Sequence, residues 1–383
     1  MTTRHTSPAG RAHRAPGHHP EPGAPGPARY APSRRRLLGG AAAGALGLAL
    51  AACSSGGSGG SGAGGGASVT VLTHDSFKVS DDLISAFEAD TGYTLSLVAS
   101  GDAGELVNKL VLTKDAPLGD AFFGIDNTYA SRALAEGIVD TTATVTLPDG
   151  AEAYLVDDTP ALAPIDVGDV CLNIDTAYFA DKGLSAPATF EDLLKSEYKN
   201  LLVAIDPSTS SPGMAWMLAT VGHFGADGFA EYWKSLVANG ARIDAGWTDA
   251  YYTDFTAGGG EGAYPIVVSY ASSPSYTLTE DKSATTTAAL LDTAFRQVEY
   301  AGVLTGAANP EGGRAFVDWM LSTKVQEDIP GQMYMYPVDG KAALPTELER
   351  FGPLAEAPIE VSAADITANR ETWLQAWTQA AGS

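Results

Sequence analysis

From Val69 onward, apolar and polar positions fall into short blocks whose period switches between two and about 3.6 residues. Val69-Thr70-Val71-Leu72-Thr73 alternates and is β-rich, which predicts a first strand. Ser80-Asp81-Asp82 opens a helix that runs through Phe87-Glu88-Ala89 and stops at Gly92. Thr94 to Val98 predicts a second strand, Gly104 to Leu112 a second helix, Asp120 to Gly124 a third strand and Tyr129 to Glu136 a third helix. This β-α-β-α-β-α order predicts a parallel sheet covered on both faces. Residues 138–163 are rich in loop formers, and Pro164 through Ile174 then reads as a long β segment.

A second alternating set follows. Leu201 to Ile205 predicts a strand, Met214–Phe224 and Phe229–Asn239 helices, Ala241 to Ile243 a short strand and Pro265 to Tyr270 another. Near residue 270 the chain is expected to return to the first set, because Gln297-Val298-Glu299-Tyr300 offers one more strand. Gly312 to Ser322 and Ala363 to Ala380 have helical patterns. The expected architecture is α/β, with two lobes joined by two crossings and a ligand cleft between them. Lobe I takes 68–163 plus about 271–309, lobe II takes 164–270, and helices in 310–383 complete both. Ligands of such sheets sit at the carboxyl ends of the strands.

The pattern before this body is different. Ser33-Arg34-Arg35-Arg36-Leu37-Leu38 leads into an apolar run that ends Leu50-Ala51-Ala52-Cys53. Arginines, small and apolar residues and then a cysteine predict an export signal over 1–52, with a disordered extension in front and lipidation at Cys53. The alternative is a membrane span, but Leu37–Ala52 is 16 residues rich in Gly and Ala, and a span needs about 20. The paired arginines suit the twin-arginine route, although Sec signals also begin with arginines. Residues 53–67 supply the cysteine and a flexible Gly/Ser tether. The expected place of the body is therefore the outer face of a bacterial cytoplasmic membrane, held by lipid.

Charge narrows the partners. Seven of the 23 basic residues and one of the 46 acidic residues precede Cys53, so the remainder carries a formal charge of −29. Nucleic acid is excluded as a partner and a cationic ligand is favoured, though an acidic proteome alone explains most of this charge. With Cys53 lipidated, Cys171 has no partner for a disulfide, and its apolar setting, Val170-Cys171-Leu172, predicts a core residue. Only His74 and His223 lie beyond the leader, so histidine-rich metal sites and Ser-His-Asp triads lack supply. No cofactor or metal is expected, and no enzyme: a nucleophilic cysteine would have to be Cys171, inside a predicted strand.

Three features remain as candidate chemistry. Asp206-Pro207-Ser208-Thr209-Ser210-Ser211-Pro212-Gly213 links a strand to a helix, either as an anion cradle of hydroxyls and free N–H groups or as a plain helix cap. Aromatics follow strands at Trp247, at Tyr270 and Tyr276, and at Tyr334 and Tyr336; such rings stack on flat heterocycles and attract cations, or fill a core. Acidic groups close the first strands at His74-Asp75-Ser76-Phe77, Ser100-Gly101-Asp102 and Gly124-Ile125-Asp126-Asn127, lining a cleft mouth or capping helices.

These same residues resemble the periplasmic thiamine-binding proteins of thiamine ABC importers. The likeness covers most of 68–380 and rests on Leu72 to Phe77, Ala86 to Asp90, Gly124 to Asn127, Asp206 to Gly213, Gly246 to Tyr251, Ser269 to Tyr276, Met335 to Val338 and Thr372 to Trp377. It implies a two-lobed periplasmic-binding-protein fold, class-II-like, that holds thiamine or its phosphates and hands them to an ABC permease with a cytoplasmic ATPase, working as a monomer. It implies that His74 and Tyr276 stack the pyrimidine and that Trp247, Tyr270 and Tyr334 line the thiazolium. Asp102 accepts hydrogen bonds from the ligand, and Thr209, Ser210 and Ser211 face the phosphate. Asp75, Ser76 and Asp126 complete the expected site. His74 stands where the family has Tyr and Tyr334 where it has Trp; a further family tryptophan has no counterpart in Val79-Ser80-Asp81, and Gly258 to Gly262 is an insertion. A ferric-ion or other small-solute binder of the same fold, using tyrosines such as Tyr251, Tyr252, Tyr270 and Tyr276, is the alternative.

Overall fold

The computed structural model describes residues 67–156 and 160–382, so the export signal and Cys53 lie outside the described residues. Within them, β1 (Ser68–Thr73), β2 (Thr94–Ala99) and β3 (Ala121–Asp126) form where the alternation predicts them. They are separated and followed by α1 (Asp81–Thr91), α2 (Ala103–Leu112) and α3 (Ala130–Ala135). Helix α1 stops because Gly92 takes φ 73° and returns its N–H to the Glu88 carbonyl. Asp102 caps α2 by accepting the Ala103 N–H. Strand β1 lies between β2 and β3, parallel to both.

The long strand β4 (Ala163–Asp175) leads to α4 (Thr176–Lys182), β5 (Leu202–Ile205), α5 (Ser211–Phe224), α6 (Phe229–Ala238) and β6 (Arg242–Asp244). A helical turn α7 (Trp247–Asp249) runs on into a π-helical turn, Ala250–Asp254, before β7 (Ile266–Tyr270). This block repeats the first one: β5 lies between β6 and β7, parallel to both. Every residue of α5 from Ser211 to Val221 is buried, so its sequence has no polar stripe.

Strand β8 (Thr287–Val303) runs back antiparallel to β4, with partners from Asp175 and Thr287 to Ala163 and Ala301. It pairs with β3 at one end, while β4 pairs with β7. Among the described residues these two strands are the only sheet connection between the parallel blocks, and the order is β2-β1-β3-β8-β4-β7-β5-β6. The predicted strand at Gln297–Tyr300 is one stretch of β8, whose first half lacks the alternation that would reveal its length. The register breaks between Val170 and Leu172, where the Leu172 N–H finds the Thr293 hydroxyl at 3.0 Å instead of a ladder carbonyl.

The remainder adds α8 (Pro310–Met320), α9 (Thr323–Met333), β9 (Tyr336–Pro337) beside β4, α10 (Thr346–Phe351) and α11 (Ala363–Ala381). Pro330 argues against α9 in the sequence. Tertiary contacts override it: Gln326 is fully buried, its amide donating to the Ile165 and Met320 carbonyls and accepting the Asp339 N–H. Helix α11 sets Trp377 edge-on to Trp233 of α6 at 5.6 Å. Cys171 is fully buried in β4, and burial pushes its thiol far up, which suits the expected core role. No helix among the described residues is long and apolar enough to cross a membrane.

Candidate functional site

Each parallel block carries its first strand between its second and third. Crevices open at that switch point, beyond the carboxyl ends of the strands. His74 follows β1, Asp102 follows β2, Ser211 opens the helix after β5, Trp247 follows β6, and Tyr270 ends β7. All five meet on one cavity of about 450 Å³, completed by Ser76, Pro212, Glu299 of β8, Met333 and Met335.

His74 is held from several sides. Its Nδ1 accepts the Ser76 N–H at 3.2 Å, which leaves the proton of the neutral ring on Nε2. Nε2 stands 3.4 Å from Glu299 Oε1 and makes no hydrogen bond within the described residues. Burial alone would lower the imidazole pKa, but the charge of Glu299, with Asp102 and Asp75, outweighs it and holds it above 6.5. Phe123 packs on the ring at 5.4 Å, and Gly124, at φ 100°, passes so close that a β-carbon there would sit 2.2 Å from Cδ2.

Asp102 spans the cleft. Its Oδ1 caps α2, and its Oδ2 accepts the Trp247 N–H from the opposite block at 3.1 Å. The Ser76 and Thr248 hydroxyls meet at 3.4 Å, and the Tyr129 hydroxyl donates to the Pro207 carbonyl at 3.0 Å, both across the same divide. Trp247 stacks on Tyr251 at 5.0 Å and donates through Nε1 to Ser269. The Tyr270 hydroxyl donates to Gln297, and its ring reaches the cavity because Gly168 lies beneath: a β-carbon there would be 3.1 Å from the ring and 2.7 Å from Met335 Sδ.

Three buried acids form a row across three adjacent strands. Asp126 of β3 and Asp166 of β4 stand in register on either side of Glu299 of β8. Burial, then the Glu299 charge, pushes Asp126 up to about 7 against the hydrogen bonds it accepts from Thr128. Burial and Glu299 push Asp166 well up too. Burial also raises Asp102. Among the described residues no Lys or Arg lines the cavity, and the chemistry of that lining is acidic and aromatic.

A second cavity, about 690 Å³, shares Trp247 as a wall and is otherwise built from Tyr251, Tyr252, Tyr276, Tyr334 and the loop at Gly258 and Gly259. Tyr276 packs on Tyr334 at 4.2 Å and donates its hydroxyl to the Pro330 carbonyl. Tyr334 is turned there by a left-handed backbone, φ 63°, that ends α9.

Of the residues singled out in the sequence, His74, Ser76, Asp102, Ser211, Trp247 and Tyr270 line the first cavity, and Trp247, Tyr276 and Tyr334 the second. His74 and Tyr276 thus line different cavities. Asp75 is exposed, its N–H bonded to the Gly101 carbonyl, and Asp126 lies behind Glu299 in the strand row. Thr209 and Ser210 line neither cavity. The Thr209 hydroxyl donates to the Ala245 carbonyl at 2.6 Å, and Ser210 caps α5 by accepting the Gly213 N–H. Ser211 accepts from Gln297. Sequence reasoning passed over Glu299, Met333 and Met335, and placed Tyr251 and Tyr252 only in the ferric alternative. A glutamate between Val298 and Tyr300 in a predicted strand was the available signal for the first of these.

Residues 118–351 match the family of bacterial extracellular solute-binding proteins. The chain belongs to that family. It is a family of solute-binding transport proteins, not of enzymes. Among relatives of this solute-binding protein, the thiamine-binding periplasmic protein of Escherichia coli is 28% identical over 322 residues, covering 82% of this chain and 93% of the relative. That of Salmonella typhimurium is 29% identical over 325 residues, with the same coverage. A solved periplasmic thiamin binding protein superposes with a TM-score of 0.72 at 27% identity, covering 84% of this chain and 98% of its own. The resemblance read from the residues therefore holds over the whole body. The ferric binding protein from Campylobacter jejuni, at 14% identity and a TM-score of 0.62, shares the fold alone. The neighbours are two-lobed periplasmic binding proteins, and the two parallel blocks bridged by β4 and β8 are this chain's form of that fold.

Proposed function

We propose that this solute-binding protein captures thiamine, with its phosphate esters, in the cleft and delivers it to an ABC permease with a cytoplasmic ATPase. The observation that carries the reading is a cavity walled by Trp247 and Tyr270 and by the carboxylates of Asp102 and Glu299, without a lysine or arginine. Aromatic faces and carboxylates together attract a flat cation, by about 0.5–2 kcal/mol for each well-placed ring. In this reading His74 and Tyr276 meet the pyrimidine, Trp247, Tyr270 and Tyr334 meet the thiazolium, and Asp102 accepts from the ligand. Of the hydroxyls of Thr209, Ser210 and Ser211, that of Ser211, which lines the cavity, faces the hydroxyethyl or phosphate tail. Lobes of 68–163 with about 271–309, and of 164–270, close on it, and a lipid on Cys53 keeps the loaded monomer near its permease.

The ferric alternative is the weaker one. Its tyrosines Tyr251, Tyr252 and Tyr276 gather on the second cavity, whose described lining brings no carboxylate or imidazole beside them to complete a ferric site. Calorimetric titration of the purified protein with thiamine, its mono- and diphosphate and ferric citrate separates the readings. A thiamine dissociation constant tighter than about 10 μM, worth about 6.8 kcal/mol, is expected. Binding of ferric citrate with no binding of any thiamine form would overturn the assignment.

A further inference from the structure

The cavity floor holds a polar pair that the ring-stacking account leaves without a task. Glu299 lies in the middle of the sheet, only 5% exposed, and its side chain lines the cavity beside His74. Its nitrogen donors are far for charge-assisted bonds, His74 Nε2 at 3.4 Å and Gln297 Nε2 at 3.5 Å, and its near neighbour across the sheet is another carboxyl, that of Asp166, which shares a hydrogen bond with it. His74 Nε2 is itself buried and without a hydrogen-bond partner. Its hydrogen cannot shift to Nδ1 without losing the Ser76 N–H, so the neutral ring presents a donor and not an acceptor. A buried donor without a partner among the described residues, beside a buried carboxylate with only long nitrogen donors, costs folding free energy unless something completes it.

A 4-aminopyrimidine has the matching edge. Its ring nitrogen accepts, and the adjacent amino group donates. Resting on the thiamine reading above, we propose that His74 and Glu299 form a donor–acceptor edge for that side of the pyrimidine, which makes Glu299 a specificity-determining residue. Nε2–H of His74 donates to the ring nitrogen while Oε1 of Glu299 accepts from the amino group. The ring is set for this by Phe123 and by the close pass of Gly124, which leave His74 no room to swing away. His74 then meets the pyrimidine through its edge and not through its face.

The discriminating ligand is the 4-oxo analogue of thiamine, in which the amino donor becomes a carbonyl acceptor and the ring nitrogen gains a hydrogen. Both contacts then oppose like with like, and buried polar groups left unpaired reject an analogue strongly. Competition calorimetry on the wild-type protein should give at least about 100-fold tighter binding of thiamine than of the 4-oxo form. In Glu299→Gln the new amide can donate to the carbonyl, and the preference should shrink to within about 5-fold or invert. Thiamine and its 4-oxo analogue binding equally well to the wild type would overturn this inference and leave the thiamine reading standing. So would an unchanged preference in a folded Glu299→Gln. Failure of the wild type to bind either ligand would overturn both.

Discussion

At Gly124 the backbone and the site share one atom's worth of space. Its φ of 100° is unfavourable for any residue with a side chain, and the missing β-carbon is where the His74 ring lies. Gly124→Ala should therefore cost about 2 kcal/mol of stability, read from urea denaturation, because the strain and the clash cannot both relax. It should also weaken thiamine binding, because His74 must leave the cavity wall; unchanged affinity would remove His74 from the site. In the sequence this glycine was visible only as part of Gly124-Ile125-Asp126-Asn127, where attention fell on the acid. The carboxylate turned out to lie one strand over from Glu299 and off the cavity, because which strand faces the cleft depends on the register with β8, which is not written locally. Residues that follow strand ends directly, such as His74, Asp102 and Trp247, were legible for the opposite reason: topology alone carries them to the cleft.

The elements that decide the architecture are β4 and β8, and their junction is pinned by an ion pair whose acid is buried and whose arginine is partly exposed. Asp169 is fully buried and receives Arg296 through two bonds of 2.8 and 2.9 Å, while the pair also holds the Ala355 N–H and carbonyl. Replacing Arg296 by Met would leave a buried carboxylate with most of its partners gone, so we expect a loss of about 3–5 kcal/mol in denaturant unfolding. A loss below about 1 kcal/mol would mean that the 355 segment is not anchored there. The helices and parallel strands were readable because each has a local period and a stop. The crossings were readable only in part: β4 is an apolar run, but the first half of β8 is half-exposed and carries no clean alternation. Helix α9 was hidden by Pro330, whose cost is offset by contacts of Gln326 with residues as distant as Ile165.

For the whole molecule, the row of acids behind the cleft sets how stability follows pH. Asp126 is held at about 7 in the fold against 3.8 unperturbed, so between those limits the native state carries the extra proton. Stability must then fall as pH rises through that window. His74 has the same sign: held above 6.5, it contributes stability that is present below that value and lost as pH rises through its folded pKa. The groups facing Asp126 are Thr128, Glu299 and, at longer range, Arg370, so protonation relieves repulsion chiefly from Glu299. The unfolding midpoint should be higher at pH 5.5 than at pH 8. Asp126→Asn supplies a permanently neutral isostere: its oxygen keeps the two Thr128 bonds, and its nitrogen takes the place of Oδ2, which has no partner. That variant should be more stable than wild type at pH 8 and show a flatter profile between pH 5 and 8. A wild-type profile that rises over this range would mean that Asp126 is charged in the fold.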